Sequence, residues 1–224
     1  SGRFFHVTPF GHAEQVVAAD QSVVSLLPQF RAGGEAAEGE LYIGVRGLNG
    51  QVAVYPLNRN LHRDGILRLT RAPWRAPKVE ATAQRHVRRV LKALDYVGVL
   101  AIEFFVVRGR LLANEMAPRV HNSGHWTIEG SETSQFQNHL RAVLGMPLGD
   151  TRSIGISCML NWIGAMPESG PVLNAAGGHW HDYGKAPREG RKVGHATLRA
   201  DTALELAEAL MRVGSALQRE AQVA

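Results

Sequence analysis

Two acids stand inside neighbouring apolar segments, Glu103 within residues 99–107 and Glu115 at the end of residues 111–115. Both segments have the composition of strands, and Arg108-Gly109-Arg110 between them predicts a hairpin with a three-residue loop. With that loop, the two acids lie opposite each other on one face of a sheet. A two-residue loop would place them on opposite faces, because a shift of one residue inverts every side chain.

Two facing carboxylates repel each other unless a cation lies between them. Carboxylate oxygens on a rigid hairpin are typical ligands of Mg²⁺, which usually binds together with substrate phosphates. The pattern therefore predicts that Glu103 and Glu115 share a metal ion. The alternative left open is that one acid pairs with a nearby arginine while the other faces solvent.

A polar segment without helical or strand periodicity, residues 114–127, begins at the end of the second strand. Loops on rigid scaffolds are where binding groups collect. Arg119, His121 and Asn122, beside two acids, predict a site for an anion next to the metal. A polar surface loop is the alternative.

Residues 179–192 form a second polar cluster with four basic residues inside eight positions: Lys185, Arg188, Arg191 and Lys192. Such a cluster predicts binding of a phosphate group, and a solvated basic loop is the alternative. His179, His181 and Asp182 are also compatible with zinc. A zinc site is disfavoured, however, because the sequence has no second Cys and His cluster at ligand spacing.

The elements that must position these groups mix strands and helices without regular alternation, which predicts an α+β fold. Residues 41–46 and 51–55 flank an Asn-Gly pair and are predicted to form a hairpin, preceded by a flexible loop at residues 31–39. Thr202 and Glu205 have the spacing of a capping box at the start of the last helix. The other predicted elements are an extended stretch at 56–77, helices at 78–95, 134–144 and 202–220, and strands at 154–163 and 197–199.

The chain has 224 residues, which suits one large domain or two small ones. Its 25 basic and 20 acidic side chains give a formal net charge of +5, which favours an anionic ligand. Cys158 is the single cysteine, so no intrachain disulfide can form and a reducing, cytoplasmic location is predicted. No apolar run approaches the ~20 residues of a membrane span, and the first residues lack the apolar stretch of a signal peptide.

Two stretches, residues 96–105 and 114–127, resemble the 5-(carboxyamino)imidazole ribonucleotide synthase family, the ATP-grasp carboxylases of purine biosynthesis. The string Asn-Ser-Gly-His-Trp-Thr at 122–127 is specific to this family rather than to ATP-grasp enzymes at large. The resemblance extends from residue 41 to residue 200. Shorter stretches that also agree are 55–57, 60–67, 134–136 and 190–195.

The resemblance implies an ATP-grasp fold of antiparallel sheets with packed helices, followed by a small C-terminal β-rich subdomain that a helix closes. It divides the chain into an ATP-grasp region at 1–150 and a C-terminal subdomain at 151–224. Within the first region, residues 1–55 correspond to part of a lid subdomain. Residues 56–150 correspond to the subdomain that binds metal and bicarbonate.

Members of the family use ATP to activate bicarbonate as carboxyphosphate, and then carboxylate aminoimidazole ribonucleotide. By matching position, the resemblance implies that Glu103 and Glu115 hold Mg²⁺. It also implies a homodimer, with ATP, bicarbonate and the ribonucleotide as ligands. The other implied roles are ATP binding for His62, Asn114, Glu115 and Gln29, catalysis for Arg119, His121 and Asn122, and binding of the substrate phosphate for Lys185, Arg188 and Arg191.

The sequence departs from the family pattern in several places. The family's N-terminal domain of roughly 100 residues has no counterpart, so the chain is expected to be part of a longer enzyme. In the glycine-rich lid, Phe4 replaces a glycine, and Pro28-Gln29 stands where Glu-Gln is expected. The acid that binds ribose is left open among Glu35, Glu38 and Glu40.

Two other functions stay open beside the carboxylase. One is a different ATP-grasp ligase that joins a carboxylate to an amine. The other is a non-catalytic module that binds anions or nucleic acid, as the net charge of +5 allows. Nucleic acid is disfavoured, because the basic residues are not interleaved with aromatic residues that would stack on bases.

Overall fold

The computed structural model describes residues 4–7, 13–16, 38–63, 65–107 and 110–217. Its strands are β1 (Phe4–Val7), β2 (Ala13–Val16), β3 (Glu38–Arg46), β4 (Val52–Val54), β5 (Asn58–Arg63), β6 (Ile66–Ala72), β7 (Gly98–Val107), β8 (Arg110–Ala117), β9 (Ile156–Ile163), β10 (Gly178–Asp182) and β11 (Lys192–Ala200). Its α-helices are α1 (Pro77–Ala93), α2 (Thr127–Gly130), α3 (Gln135–Val143), α4 (Gly170–Leu173) and α5 (Ala203–Ala216). A short 3-10 helix covers Asn122–Gly124.

Nine of the described strands form one sheet in the order β10-β11-β9-β6-β5-β3-β7-β8, with β4 paired to β3 beside this path. All of its strand pairs are antiparallel. The pairing of β6 with β9, from Leu69 opposite Leu160 to Ala72 opposite Ser157, joins the earlier strands to the later ones. Antiparallel sheets with packed helices confirm the predicted α+β class.

Helix α1 covers one face of the sheet with a fully buried stripe that includes Val87 and Leu91. Complete burial of such a side chain contributes roughly 1.5–3 kcal/mol. The helix approaches β3 closely at Gly44, where a Cβ atom would clash with the Val87 side chain. Only glycine permits this approach without displacing α1. The stripe packs against residues of β3, β7 and β8, namely Tyr42, Leu100, Ile102, Phe104, Leu111 and Ala113.

Helix α5 covers the same face of the sheet at the end formed by β9 and β11. Leu206 and Leu210 pack there with Leu198 in a second buried cluster. The capping box predicted from the sequence is confirmed, because Thr202 and Glu205 exchange side-chain to backbone hydrogen bonds at the start of the helix.

The opposite face of the sheet, here called the polar face, carries a row of buried polar side chains. The strand register places these residues on one side: Asn58, Asn60, Thr70, Glu103, Asn161, His195 and Thr197. A segment that we call the covering loop, residues 118–134, lies across this face. The Asn58 side chain donates a 2.6 Å hydrogen bond to the Ser123 carbonyl, and Trp126 packs against Met159.

Several predicted elements are confirmed. Strands β3 and β4 form the expected hairpin, with Gly44 opposite Val54 and Arg46 opposite Val52. The helices predicted at 78–95, 134–144 and 202–220 correspond to α1, α3 and α5, and the strand predicted at 154–163 corresponds to β9. The segment predicted at 197–199 is the end of β11, which pairs with β9 as expected.

Two segments contain strands that the sequence did not delimit. Residues 56–77, predicted as one extended stretch, contain strands β5 and β6, and the polar cluster at 179–192, for which a solvated loop was the alternative, begins within strand β10. Buried polar residues such as Asn58 and Asn60 interrupt the apolar alternation by which strands are recognised. Of the predicted flexible loop, residues 31–37 lie outside the described residues, and Glu38 and Gly39 belong to β3.

Candidate active site

Glu103 on β7 lies directly opposite Glu115 on β8, as predicted, but the predicted three-residue loop is wrong. Val107 pairs with Arg110, which leaves two residues between the paired ends of the strands. The register then shifts by one residue between Glu103 and Phe104, at a β-bulge that contains Asn114. Because a bulge sets two residues opposite one, the extra residue restores the pairing that a two-residue loop would otherwise prevent.

The Glu103 carboxylate is only 4% exposed and is surrounded by hydrogen-bonding side chains. Asn60 and Asn114 donate amide hydrogen bonds to its two oxygens at 3.4 and 3.2 Å. His62 Nε2 lies 3.2 Å from Oε1. The hydroxyl of Thr70 donates to the Asn60 side-chain oxygen at 2.9 Å, which fixes the orientation of that amide. Glu103 is therefore held in one orientation by neighbours from β5 and β8.

Glu115 has a different environment, because half of its side chain is exposed. Its Oε1 lies 3.9 Å from both Arg119 Nη2 and His121 Nε2. Contacts this long with a half-exposed carboxylate contribute little to stability, so the Glu115 carboxylate remains available to a ligand. The two acids thus combine one fixed and one accessible carboxylate.

The covering loop is anchored by Gln135 at the start of α3, a side chain with no exposed surface. Its amide donates to the His121 carbonyl at 2.7 Å and accepts from the His121 backbone N–H at 2.9 Å. The same amide nitrogen lies 3.1 Å from His125 Nδ1. A Cβ atom at Gly124 would lie 2.7 Å from this side chain, so the loop can pack here only with glycine at that position.

His121 is a neutral imidazole in this setting. Burial lowers its pKa to about 4, with further contributions from Arg119, Lys192 and His62. Its Nδ1 lies 2.6 Å from the Ser123 hydroxyl, which leaves Nε2 directed toward Glu115. A neutral ring of this kind can donate or accept one hydrogen bond at the accessible carboxylate.

Arg119 presents a largely exposed guanidinium beside the acid pair. Its Nη1 donates to the Val120 carbonyl at 3.0 Å, and its other groups remain available to an oxyanion. The neighbouring Asn122 accepts a hydrogen bond from the ammonium group of Lys192 through its side-chain oxygen. This contact links the covering loop to the start of β11.

Lys192 was part of the basic cluster in the sequence but was not predicted as a site residue. Burial lowers the pKa of its ammonium group to about 7, and the nearby charge of Lys185 contributes to the same shift. Both ammonium groups lie over the ring of Tyr183, at 5.2 Å for Lys192 and 5.3 Å for Lys185. The structure therefore brings two of the basic side chains to one aromatic ring.

The other predicted phosphate-binding residues lie on the exposed segment between β10 and β11. Arg191 Nη1 donates to the Ala186 carbonyl at 3.4 Å. The Arg188 side chain is exposed, and its backbone N–H donates to the Gly164 carbonyl at 2.9 Å. Their placement on the segment that carries Lys185 is compatible with a shared anion.

A network of aromatic side chains beneath the covering loop was missed by sequence reasoning. His181 stacks on His195 at 4.2 Å, and His125 lies 5.3 Å from His195. His181 Nε2 lies 2.6 Å from Oε1 of Glu129, while the Tyr183 hydroxyl lies 2.7 Å from His195 Nδ1. These residues come together only because β10 pairs with β11 beneath the covering loop, which no local spacing reveals.

Two further predictions concern a zinc site and the ATP-binding residue Gln29. Within the described part of the chain, no group of three or more His, Cys, Asp and Glu residues could hold a metal ion. Gln29, predicted to bind ATP, lies outside the described residues, as do Pro28 and Glu35.

Among the described helices, none is long and apolar enough to cross a bilayer.

Comparison with known proteins identifies this arrangement. Residues 38–136 match the ATP-grasp domain, and residues 157–209 match the phosphoribosylaminoimidazole carboxylase C-terminal domain. The N5-carboxyaminoimidazole ribonucleotide synthase of Pseudomonas aeruginosa is 59% identical over 157 residues, which are 70% of this chain and 43% of that protein. The chain belongs to the N5-carboxyaminoimidazole ribonucleotide synthase family.

Solved structures of the synthase family share the fold. The enzyme from Thermus thermophilus has a TM-score of 0.78 and 48% identity, covering 91% of this chain and 59% of that chain. The enzyme from Aspergillus clavatus in complex with ADP and 5-aminoimidazole ribonucleotide has a TM-score of 0.75 and 31% identity, covering 84% of this chain and 53% of that chain. These comparisons confirm the predicted ATP-grasp fold.

The chain spans about half the length of the curated synthases that it matches, between 43% and 48% of the relatives compared. Glu103, Glu115 and Arg119 lie within the residues that match the ATP-grasp domain. Lys185 and Lys192 fall in the match to the C-terminal domain. The contact between Asn122 and Lys192 therefore joins the two matched regions.

Proposed function

We propose that the protein carrying this chain uses ATP to carboxylate 5-aminoimidazole ribonucleotide with bicarbonate, through carboxyphosphate, as a step of purine biosynthesis. The observation that carries the proposal is the opposed pair Glu103 and Glu115 beside Arg119, with Lys192 reaching the same loop through Asn122. The Aspergillus clavatus relative, described in complex with ADP and 5-aminoimidazole ribonucleotide, supports both kinds of ligand.

The glutamate pair fits a magnesium ion. Its donors are carboxylate oxygens, and one of the two carboxylates is half exposed. Mg²⁺ usually completes its coordination with substrate phosphate and water, which a pair of carboxylates leaves room for. We infer that Glu103 and Glu115 hold Mg²⁺, which supplies neutralisation of charge on the ATP phosphates when bound.

His62 and Asn114 support a role next to the nucleotide, since both contact the carboxylate of Glu103. Their contacts orient the carboxylate and bring polar groups from β5 and β8 to the position where phosphates would meet the metal. Asn114 is the extra residue of the bulge, so the distortion that aligns the acids also supplies this amide.

Arg119 is the residue proposed to bind bicarbonate and carboxyphosphate. Both are oxyanions whose geometry suits the rigid fork of a guanidinium better than a lysine ammonium. Charge accumulates on these oxygens during phosphoryl transfer, so an available guanidinium stabilises the transition state more than it stabilises bound ATP. Neutral His121 and Asn122, which lie beside it, supply hydrogen bonds without adding charge.

The basic segment is proposed to bind the phosphate of the ribonucleotide. Lys185 and Arg191 carry this role, with Arg188 as a third, more exposed cation. None of the ion pairs in the described part of the chain includes Lys185 or Lys192, so an anionic ligand can pair with both side chains. A homodimer, a cytoplasmic location and a subdomain boundary near residue 150 remain predictions.

The test measures phosphate release by the complete protein with ATP, Mg²⁺ and ¹³C-bicarbonate, with and without 5-aminoimidazole ribonucleotide. We expect phosphate release to depend on the ribonucleotide and the ¹³C label to enter it as a carbamate. Stimulation by a different amine would instead favour another ATP-grasp ligase. Salt-dependent binding of oligonucleotides without any response to ATP would favour the non-catalytic module.

A further inference from the structure

Tyr183 contacts two lysines that have different surroundings. Lys185 is exposed, whereas Lys192 is half-buried and donates to Asn122 of the covering loop. The ammonium groups of both lie within 5.3 Å of the centre of the Tyr183 ring. An ammonium within about 6 Å of an aromatic ring is attracted by the negative charge of the ring face. The ring therefore offsets part of the repulsion between the two cations.

The ring itself is fixed from the interior of the protein. Its hydroxyl lies 2.7 Å from Nδ1 of His195, a residue with only 1% exposure. His195 stacks on His181 at an interplanar angle of 10°, and His181 in turn bonds to the buried carboxylate of Glu129. Burial holds the pKa of His195 far below its usual range, so it is a neutral partner for the hydroxyl.

We propose that Tyr183 is a positioning residue, whose ring holds Lys185 and Lys192 side by side so that both ammonium groups point to one bound phosphate. The proposal rests on the proposed function for the identity of the phosphate, which is that of the ribonucleotide. Long lysine side chains lose considerable rotamer freedom when they bind a ligand. A ring that orders them beforehand reduces the entropy lost on binding.

The hydroxyl and the ring have separable tasks in this arrangement. The ring attracts the two lysines, while the hydroxyl only anchors the ring to His195. Tyr183→Phe keeps the ring and removes the anchor, and Tyr183→Leu removes the ring but keeps an apolar side chain. The Phe variant is therefore expected to rescue most of what the Leu variant loses.

The first measurement is steady-state kinetics with the complete protein. We expect Tyr183→Leu to raise KM for the ribonucleotide roughly 5-fold to 30-fold, while KM for ATP is unchanged. In Tyr183→Phe, KM for the ribonucleotide should stay within about 3-fold of the wild-type value. Unchanged KM in the Leu variant, or equal increases in the Leu and Phe variants, would overturn the proposal.

The second measurement does not require turnover. After reductive ¹³C-methylation of lysines, the NMR signals of Lys185 and Lys192, assigned with Lys185→Arg and Lys192→Arg, should be shifted upfield by the ring. The shift should persist in Tyr183→Phe and disappear in Tyr183→Leu. Unshifted lysine signals in the wild-type protein would refute the placement of the ring. If the wild-type protein lacks ribonucleotide-dependent turnover, the proposed function is wrong, and the NMR result alone decides the role of Tyr183.

Discussion

Glu103 and Glu115 face each other across two neighbouring strands, yet Glu103 is 4% exposed whereas half of the Glu115 side chain is open to solvent. The bulge at Asn114 aligns the acids and adds an amide that bonds to the buried one. A metal held by this pair would have one rigid ligand and one adaptable ligand. Replacement of the two acids should therefore have different consequences for stability.

The first prediction compares Glu103→Gln with Glu115→Gln. Both should reduce Mg²⁺-dependent ATP hydrolysis by the complete protein on the order of 10²-fold, since each removes a charged ligand. Only Glu103→Gln should lower the free energy of unfolding, by about 1–3 kcal/mol, because its new amide group faces the donors of Asn60 and Asn114. Hydrolysis assays over a range of Mg²⁺ concentrations and thermal unfolding check the two parts separately.

A matched control for this pair is Glu132→Gln, which removes an acid that is paired with Arg152 at the protein surface. Its activity and stability should match the wild-type protein, because exposed ion pairs contribute little. Full activity of both test variants at limiting Mg²⁺ would show that the acids do not hold the metal.

The second prediction concerns Arg119→Lys, which keeps the positive charge and loses the fork. We expect kcat to fall on the order of 10²-fold with KM for ATP nearly unchanged, because the interaction is strongest in the transition state. Single-turnover phosphate release and ATP binding by the complete protein separate the two effects. Turnover near the wild-type rate would remove Arg119 from the mechanism.

The third prediction concerns Arg191→Ala. Loss of a charged hydrogen bond to phosphate should weaken ribonucleotide binding by roughly 1.5–3 kcal/mol and leave ATP binding unchanged. Isothermal titration with each ligand measures both affinities. Arg212→Ala is the control, because this arginine is exposed on α5 and pairs with Glu208. A loss of ATP affinity in place of ribonucleotide affinity would mean that the segment serves the nucleotide.

The fourth prediction follows from Lys192, whose pKa is lowered from 10.5 to about 7, first by burial and then by Lys185. A bound phosphate would raise this pKa, so at pH 8 ribonucleotide binding should take up roughly 0.5–1 more proton in the wild-type protein than in Lys192→Arg, whereas at pH 6 the two proteins should hardly differ. Titration in two buffers with different ionisation enthalpies measures the uptake. Lys192→Arg should bind without this uptake, because arginine stays charged.

The sign of the same shift fixes a dependence of stability on pH. Between pH 7 and 10.5 the unfolded chain binds more protons at Lys192 than the folded chain does. The contribution of this group to the free energy of unfolding should therefore increase as the pH rises through that window.

In the binding experiment, proton uptake of equal size in the wild-type and Lys192→Arg proteins would assign the titration to another group.

The opposition of Glu103 and Glu115 was predicted for a reason that is wrong in detail. The sequence indicates two strands and a turn, but it contains no signal for a bulge at Asn114, whose place depends on hydrogen bonds to Glu103 and on pairing with β7. Two departures from the prediction, a shorter loop and a bulge, cancel each other. Register near a turn therefore depends on tertiary contacts as well as on loop length.

Elements with an apolar stripe or a cap were predicted well, and elements of the polar face were not. Helices α1 and α5 have apolar positions at helical spacing, and they bury those residues on the apolar face. Strands β5 and β10 carry polar residues such as Asn60 and His181, and this pattern is typical of loops. Their side chains are satisfied by partners from distant segments, Glu103 and Glu129, which no short sequence window contains.

The pairing of β6 with β9 crosses from the ATP-grasp match to the C-terminal match, so the two matched regions share one sheet. A fragment that stopped after residue 150 would expose the unpaired backbone groups of β6, and a fragment that started there would expose those of β9. Each open edge is a template for non-native strand pairing, so either fragment alone is prone to aggregate. Each edge is also the native complement of the other, so the two fragments produced together should reassemble into one sheet.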